Sequence, residues 1–150
     1  MKFYIATRLE RADEQKALSA ILRDFGHEHT YDWSTHGSVQ SEGPDRIREV
    51  ASAECRGVLD ADLFICLLPG GRGTHAELGA AIADAERQRE RRQSNQVGGA
   101  KRIVIIGDDG GVDGRTCAFY HHPCISERFA TVEEFAAFMR GVKMAGMDWR

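Results

Sequence analysis

The segment DLFICLLP, residues 62–69, constrains the fold of this 150-residue chain more than any other stretch. It is almost continuously apolar, which is typical of a central strand in a parallel sheet that is covered on both faces. A glycine-rich loop follows, and then the helical pattern THAELGAAIADAERQRERRQ, residues 74–93. A buried strand that leads through a short loop into a helix predicts an α/β architecture.

Strand and helix patterns alternate along the rest of the chain. Strands are predicted at 2–7, 27–33, 62–69, 101–107 and 116–120, and helices at 11–26, 44–61, 74–93 and 131–143. Parallel strands need crossover connections, so we expect helices on both faces of the sheet. The sequence thus predicts one domain over residues 1–150, a flavodoxin-like three-layer α/β/α sandwich with a five-stranded parallel sheet of order 2-1-3-4-5.

A sheet of this order predicts where a ligand binds. Ligands of such folds lie beyond the carboxyl ends of the strands, where the winding reverses, which here is between the first and third strands. The segment YIATRLE, residues 4–10, would then lie beside PGGRGTHAE, residues 69–77.

Composition excludes several classes of function. Apolar residues make up 42% and charged residues 29%, as in ordinary globular proteins. The net charge of -3 provides no broad cationic surface, so we expect no duplex nucleic acid as a partner. No apolar run is long enough to span a bilayer and the first residues do not read as a signal peptide, so we expect no membrane association and a cytoplasmic location.

The four cysteines, Cys55, Cys66, Cys117 and Cys124, lack CxxC spacing, and we expect them to be reduced. The segment CAFYHHPC contains possible metal ligands, including His121 and His122. Adjacent histidines on an extended segment point to opposite faces, so we predict no metal site here. We also expect no organic cofactor.

The glycine loop itself matches none of the common nucleotide motifs. It lacks the GK[ST] of a Walker loop, and Gly71 and Gly73 lack the third glycine of the dinucleotide fingerprint. A phosphoacceptor aspartate is absent from the end of the third strand, where Leu68 and Pro69 stand. What remains is a loop that feeds a helix N-terminus, a place that favours a phosphate or a carboxylate.

Glu77 has two possible roles in this loop. It can belong to a capping box, with Thr74 as N-cap and the Glu77 side chain bonded back to the Thr74 backbone N–H. It can also be a catalytic carboxylate, kept ionised by the helix dipole and oriented by a hydrogen bond from Tyr4. Glu54, on the preceding helix, would then supply the second carboxylate that glycosyl chemistry needs.

These segments together resemble the nucleoside 2-deoxyribosyltransferase-like superfamily. The resemblance comprises FYIAT, GHEHTYDW, ADLFICLLP and GRGTHAELGAAIA, which contains the G-x-x-x-E-L-G motif, and it extends from residue 3 to about residue 83. It implies that Glu77 is the nucleophile that forms a glycosyl-enzyme and that Tyr4 holds it. The acidic residue before the third strand falls on Glu54, where relatives usually have aspartate, with Asp60 as the other candidate. The transferases of this superfamily carry a further acidic residue that helps to bind the base, and at the matching position this chain has Gly71.

Two related groups suggest a phosphorylated substrate. The nucleoside 5'-monophosphate N-glycosidases share the E-L-G helix, and the resemblance implies phosphate binding by Arg8, Arg72 and Thr74. The cytokinin-activating phosphoribohydrolases (LOG proteins) share P-G-G-x-G-T-x-x-E, which residues 69–77 match at each fixed position, although their C-G-S opening after the first strand is missing.

The rest of the binding site is predicted from position in the fold. The residues expected to line it are Thr7, Gly73, Trp33 and His36, with His122 reaching a neighbouring subunit, since the resemblance implies a homo-oligomer. We therefore expect an enzyme that acts on the N-glycosidic bond of a nucleoside or nucleotide, by transfer or by hydrolysis. The competing hypothesis is a non-catalytic nucleotide-binding regulatory module.

Overall fold

The computed structural model of the chain describes residues 1–93, 99–108, 116–146 and 149. Its strands are β1 (Lys2–Ala6), β2 (Glu28–His29), β3 (Leu63–Leu67), β4 (Arg102–Ile106) and β5 (Ile125–Phe129). Its α-helices are α1 (Ala12–Asp24), α2 (Pro44–Asp60), α3 (Arg72–Gln93) and α4 (Val132–Met144). Most of the loop at 108–114 lies outside the described residues.

The strands form one parallel sheet in the order β2-β1-β3-β4-β5, which confirms the predicted topology. β3 lies in the middle, and each of its five residues is buried. The pairs Tyr4 with Phe64 and Ala6 with Cys66 set the register of β1 on β3. This register brings the carboxyl ends of β1 and β3 side by side.

Side chains alternate between the two faces of the sheet and build two cores. Phe3 and Ile5 of β1 pack with residues of α1 and α4, whereas Tyr4 and Ala6 pack on the opposite face with residues of α2 and α3. The two-residue period of a strand therefore decides that Tyr4 lies on the same side of the sheet as Leu78 of α3.

Two of the predicted strands differ from the structure. The strand expected at 116–120 is wrong: residues Ala118–His121 form a 3-10 turn and β5 begins at Ile125. The charged residues of ISERF make β5 hard to recognise as a strand from the sequence. In the structure, Glu127 forms an ion pair of 2.7 Å with Arg102 of the neighbouring strand. The second strand ends at His29, earlier than expected, because Asp32 caps a 3-10 turn over Trp33–Thr35 by accepting the Ser34 N–H.

A buried lysine binds the carbonyl groups at the C-terminal end of α2, at the amino edge of the sheet. The Lys101 side chain is fully buried, and its Nζ donates to the carbonyls of Val58, Leu59 and Ala61 and pairs with Asp84 at 3.2 Å. The last carbonyls of a helix have no partners within the helix, so this ammonium group satisfies them. Within the described ranges, no helix combines the length and the apolar character needed to cross a bilayer.

Candidate active site

A cleft of about 620 Å³ opens at the carboxyl edge of β1 and β3, at the predicted switch point of the sheet. Its floor and one wall come from the end of β1 and the start of α3, and the other wall comes from α2 and the segment 33–40. The predicted site residues that line it are Thr7, Arg8, Trp33, His36, Glu54, Gly71, Arg72, Gly73, Thr74 and Glu77.

Glu77 lies at the base of this cleft and is bonded to Tyr4. The Tyr4 hydroxyl donates to Oε1 of Glu77 at 2.5 Å, and the Tyr4 side chain is fully buried. The capping-box alternative does not describe this geometry, because α3 begins at Arg72 and Glu77 therefore lies in its second turn. Thr74 instead accepts a hydrogen bond from the Gly71 N–H at 3.0 Å.

Burial controls the charge of Glu77. Desolvation raises the pKa of Glu77 to about 7, the hydrogen bond from Tyr4 opposes this rise, and the nearby charge of Glu54 adds to it. We expected the helix dipole to keep this carboxylate ionised, but the second turn lies beyond the strongest part of that field and burial outweighs it. Burial and the Glu77 carboxylate also raise the pKa of Tyr4, so the hydroxyl remains a donor.

Glu54 lies on α2 and lines the same cleft. Burial raises its pKa, and His36 opposes that rise. Nδ1 of His36 donates to the Gly37 carbonyl at 2.9 Å, which leaves Nε2 to accept from the Tyr31 hydroxyl at 2.8 Å. The structure thus places a second partly buried carboxylate near Glu77, and it adds Tyr31, which the sequence analysis did not include, as the partner of the predicted residue His36.

Gly57 allows α2 to approach Tyr4 closely. A Cβ atom at this position would lie 2.7 Å from Cβ of Tyr31 and 3.0 Å from Cε2 of Tyr4. The Gly57 carbonyl also accepts the Thr30 hydroxyl at 2.8 Å. A glycine inside a predicted helix was the one signal in the sequence for this close approach.

Two arginines and the first turn of α3 provide groups in the cleft that can bind an anion, alongside the three lining carboxylates Glu10, Glu54 and Glu77. Arg72 and Gly73 begin α3, where the first amides lack partners within the helix, and the amide of Gly71 just before them donates to Thr74. The Arg8 side chain is 46% exposed, and its ion pair with Glu10, at 4.0 Å, is long. Both guanidinium groups can therefore turn toward an anion in the cleft.

Thr7 and Trp33 line the cleft but use their polar atoms in the fold. The Thr7 hydroxyl donates to the Leu67 carbonyl at 2.8 Å and joins the ends of β1 and β3. The Trp33 indole N–H donates to the Ile5 carbonyl at 3.0 Å, and the ring is 6% exposed. Their main contribution is to hold the shape of the cleft.

Two predicted site residues lie elsewhere. Asp60 is the last residue of α2 and lines a separate hollow with Lys101 at the amino edge of the sheet, because α2 runs antiparallel to the strands. It is therefore not an alternative to Glu54. His122 does not line the cleft either; it lies beside Cys124 in the connection to β5.

The sequence analysis missed the apolar wall of the cleft. The side chains that form it are Leu9, Val39, Ile47, Val50 and Ala51. Leu9 and Ile47 are 45% and 41% exposed, although each is a large apolar residue. Exposed apolar side chains at the mouth of a cleft are typical of a ligand-binding site.

Comparison with known proteins supports the fold. The sequence matches no protein-family model, and no curated protein is significantly similar to it. The structure is similar to that of the Clostridium botulinum CMP N-glycosidase BcmB, with a TM-score of 0.56 over 97% of this chain and 99% of the other. Sequence identity is 16%, so this similarity shows a shared fold.

Proposed function

We propose that the chain cleaves the N-glycosidic bond of a nucleoside or nucleotide, with a nucleoside 5'-monophosphate as the favoured substrate. The observation that carries this proposal is the Tyr4–Glu77 hydrogen bond of 2.5 Å at the base of the cleft, with a second carboxylate, Glu54, on the opposite wall. Paired carboxylates are the groups that glycosyl chemistry requires. The shared fold with a CMP N-glycosidase supports the choice of bond.

In the proposed reaction, ionised Glu77 attacks C1' of the sugar, the bond from C1' to the base breaks, and its electron pair leaves with the base. Protonated Glu54 gives its proton to the departing base. Water or a second base then attacks C1' of the glycosyl-enzyme ester and gives its proton to the Glu54 carboxylate, and the bond from C1' to Glu77 breaks to release Glu77 as the carboxylate. Tyr4 stays protonated and holds the attacking carboxylate throughout.

The arginines support a phosphorylated substrate. Arg8 and Arg72 line the cleft beside the first turn of α3, and both are exposed enough to pair with a phosphate. A 5'-phosphate bound there would place the sugar between this turn and Glu77. Guanidinium groups bind phosphate oxygens in a bidentate manner, so loss of either group should weaken binding rather than the chemical step.

The test is a panel of ribo- and deoxyribonucleosides and their 5'-monophosphates, incubated with the protein and assayed for free base by chromatography, with and without a second base as acceptor. We expect base release from a monophosphate, and loss of activity by three or more orders of magnitude in Glu77→Gln. Glu90→Gln, on an exposed turn of the same helix, is the matched control and should remain active.

Saturable nucleotide binding without base release over hours would overturn the proposal and favour a binding module. Retained turnover in a folded Glu77→Gln protein would overturn the role of Glu77 as nucleophile, but not the proposed activity. Exchange of one base for another would identify a transferase, whereas free sugar phosphate as the product would identify a hydrolase.

A further inference from the structure

Three side chains with metal-binding chemistry lie together outside the cleft. Glu86 comes from α3, and His122 and Cys124 come from the connection between the 3-10 turn Ala118–His121 and β5. One donor atom from each lies within 4.8 Å of the others. The Cys124 thiol donates to Oε1 of Glu86 at 2.9 Å, so two of the three groups are already in direct contact.

One ring nitrogen of His122 already has a hydrogen-bond partner, which an ion bound at that nitrogen would displace. Nδ1 of His122 accepts the backbone N–H of Cys124 at 3.2 Å. Its lone pair therefore points toward Cys124, and the ring proton is on Nε2. A cation placed between the three side chains would take over this lone pair in place of the amide.

The ligand types favour a zinc-class ion. A thiolate, an imidazole and a carboxylate together suit Zn²⁺, whose bonds of about 2.0–2.3 Å would place the donor atoms roughly 3.3–3.8 Å apart in a tetrahedral shell. The present separations are at most 4.8 Å, and the Cys124–Glu86 contact of 2.9 Å would have to lengthen on binding. The Glu86 side chain is 48% exposed, whereas Cys124 is 1% exposed, so adjustment to an ion would come mainly from Glu86.

The charges around the group are compatible with a divalent ion. Arg89 is the nearby cation: its guanidinium lies 3.9 Å from Oε1 of Glu86 and is tied to the Pro123 carbonyl by a hydrogen bond of 3.0 Å. When the ion binds, the Cys124 thiol releases its proton to solvent, and the thiolate and the Glu86 carboxylate together balance the two positive charges. Arg89 can then keep its bond to Pro123.

We propose that Glu86, His122 and Cys124 form a binding site for a zinc-class divalent ion, with water as the fourth ligand. The bound ion would join α3 to the start of β5. The local sequence CAFYHHPC could not show this site. Cys117 packs against the core, and Nε2 of His121 is bonded to the Thr116 hydroxyl at 3.1 Å, so these two residues have other contacts. The third ligand comes instead from a helix more than thirty residues away.

The experiment uses the full chain, stripped with a chelator and titrated with Co²⁺ and with Zn²⁺. We expect one ion per chain, a thiolate-to-cobalt charge-transfer band in the near ultraviolet, and a higher melting temperature with Zn²⁺. Glu86→Gln and His122→Ala should weaken binding by about tenfold or more, and Cys124→Ser should abolish the band. Cys117→Ser and His121→Ala are the matched controls and should bind as the wild type does.

Failure of the wild type to retain an ion, or dependence of the band on Cys117 or His121, would overturn the proposal. Cys124 is buried, so Cys124→Ser could unfold for other reasons. Glu86→Gln then decides: it alters an exposed side chain, and unchanged affinity in this variant would also overturn the proposal. The readouts are metal binding and melting, so the result is separate from that of the base-release assay.

Discussion

At the scale of single residues, the Tyr4–Glu77 pair balances two opposing requirements of a nucleophilic carboxylate. The group must be ionised to attack, yet burial in the cleft raises its pKa to about 7. The Tyr4 hydroxyl opposes this rise by donating to the carboxylate at 2.5 Å. In the proposed reaction, the pair would keep Glu77 available for attack near neutral pH while holding it out of bulk water.

The variant Tyr4→Phe tests this balance. For a 4-nitrophenyl glycoside, whose leaving group departs without a proton, the wild-type rate should rise with pH through about 7 as Glu77 ionises. Removing the hydroxyl removes the interaction that lowers the pKa, so the rising limb should move to higher pH. A hydrogen bond to a charged group contributes about 1.5–3 kcal/mol, so the rate at low pH should fall about tenfold to a hundredfold.

Tyr120→Phe is the control for this variant. The Tyr120 hydroxyl is bonded at 2.6 Å to His75, which lies on α3 like Glu77, but Tyr120 lies outside the cleft. Its pH–rate profile should match that of the wild type. An unshifted limb in Tyr4→Phe would show that the hydroxyl does not set the ionisation of Glu77.

The sequence predicts which of these residues meet but not how they ionise. The alternation of side chains along KFYIAT and the helix after the glycine loop place Tyr4 and Glu77 on one face of the sheet. The choice between cap and cleft carboxylate depends on whether α3 begins at Thr74 or two residues earlier, and boundaries of this kind are poorly determined by local sequence. Ionisation depends on burial, which arises from residues distant in the chain.

At the scale of elements, α2 forms one wall of the cleft and packs closely against Tyr4 of β1. Glu54 and Gly57 are three residues apart and share a face, so the same side of the helix presents the second carboxylate and makes the close contact with Tyr4. Asp60 follows Glu54 by six residues, which rotates it by about 120° around the helix axis and moves it about 9 Å along that axis, to the end of α2. Helix geometry therefore explains why only one of the two candidate acids reaches the cleft.

The substitution Gly57→Ala tests this packing. The added methyl group would lie 2.7 Å from the Tyr31 side chain and 3.0 Å from the Tyr4 ring, so one of them must move. We expect destabilisation of about 1–3 kcal/mol, measured by denaturant unfolding, together with a lower kcat, because Tyr4 holds Glu77.

Gly79→Ala is the matched control for Gly57→Ala. It lies on α3, where a new Cβ would meet nothing within 4 Å, and the higher helix propensity of alanine should stabilise the protein by up to about 1 kcal/mol. Equal effects of the two substitutions would contradict a role for the close approach of α2.

Central elements were easier to predict than edge elements. β3 and β4 are buried on both faces, so their apolar runs identify them directly. β5 is an edge strand that carries Glu127 and Arg128, and its charged residues gain partners only in the folded sheet. The more hydrophobic TCAFY was therefore the better candidate by sequence, although it forms a turn.

At the scale of the whole molecule, the buried ionisable groups at the two edges of the sheet differ in how well their surroundings stabilise the charged form. At the amino edge, Lys101 is surrounded by carbonyl groups and Asp84, which serve the structure. At the carboxyl edge, burial of ionised Glu77 costs more than the Tyr4 hydrogen bond returns, as its raised pKa indicates. Such a cost at one site is expected where activity requires a group that the fold alone would not favour.

The stability of the whole chain should therefore depend on Glu77 and on pH. The native pKa of about 7 exceeds the unfolded value of 4.5, so the native state binds more protons between these values and the free energy of unfolding falls as pH rises through this window. Glu77→Gln lacks this titration. Its stability relative to the wild type should increase from pH 4.5 to pH 7 by about 2–3 kcal/mol and then level off, as measured by denaturant unfolding. Glu28→Gln, which removes an exposed glutamate, controls for net charge, and a constant difference across this range in Glu77→Gln would refute the assigned cost of burial.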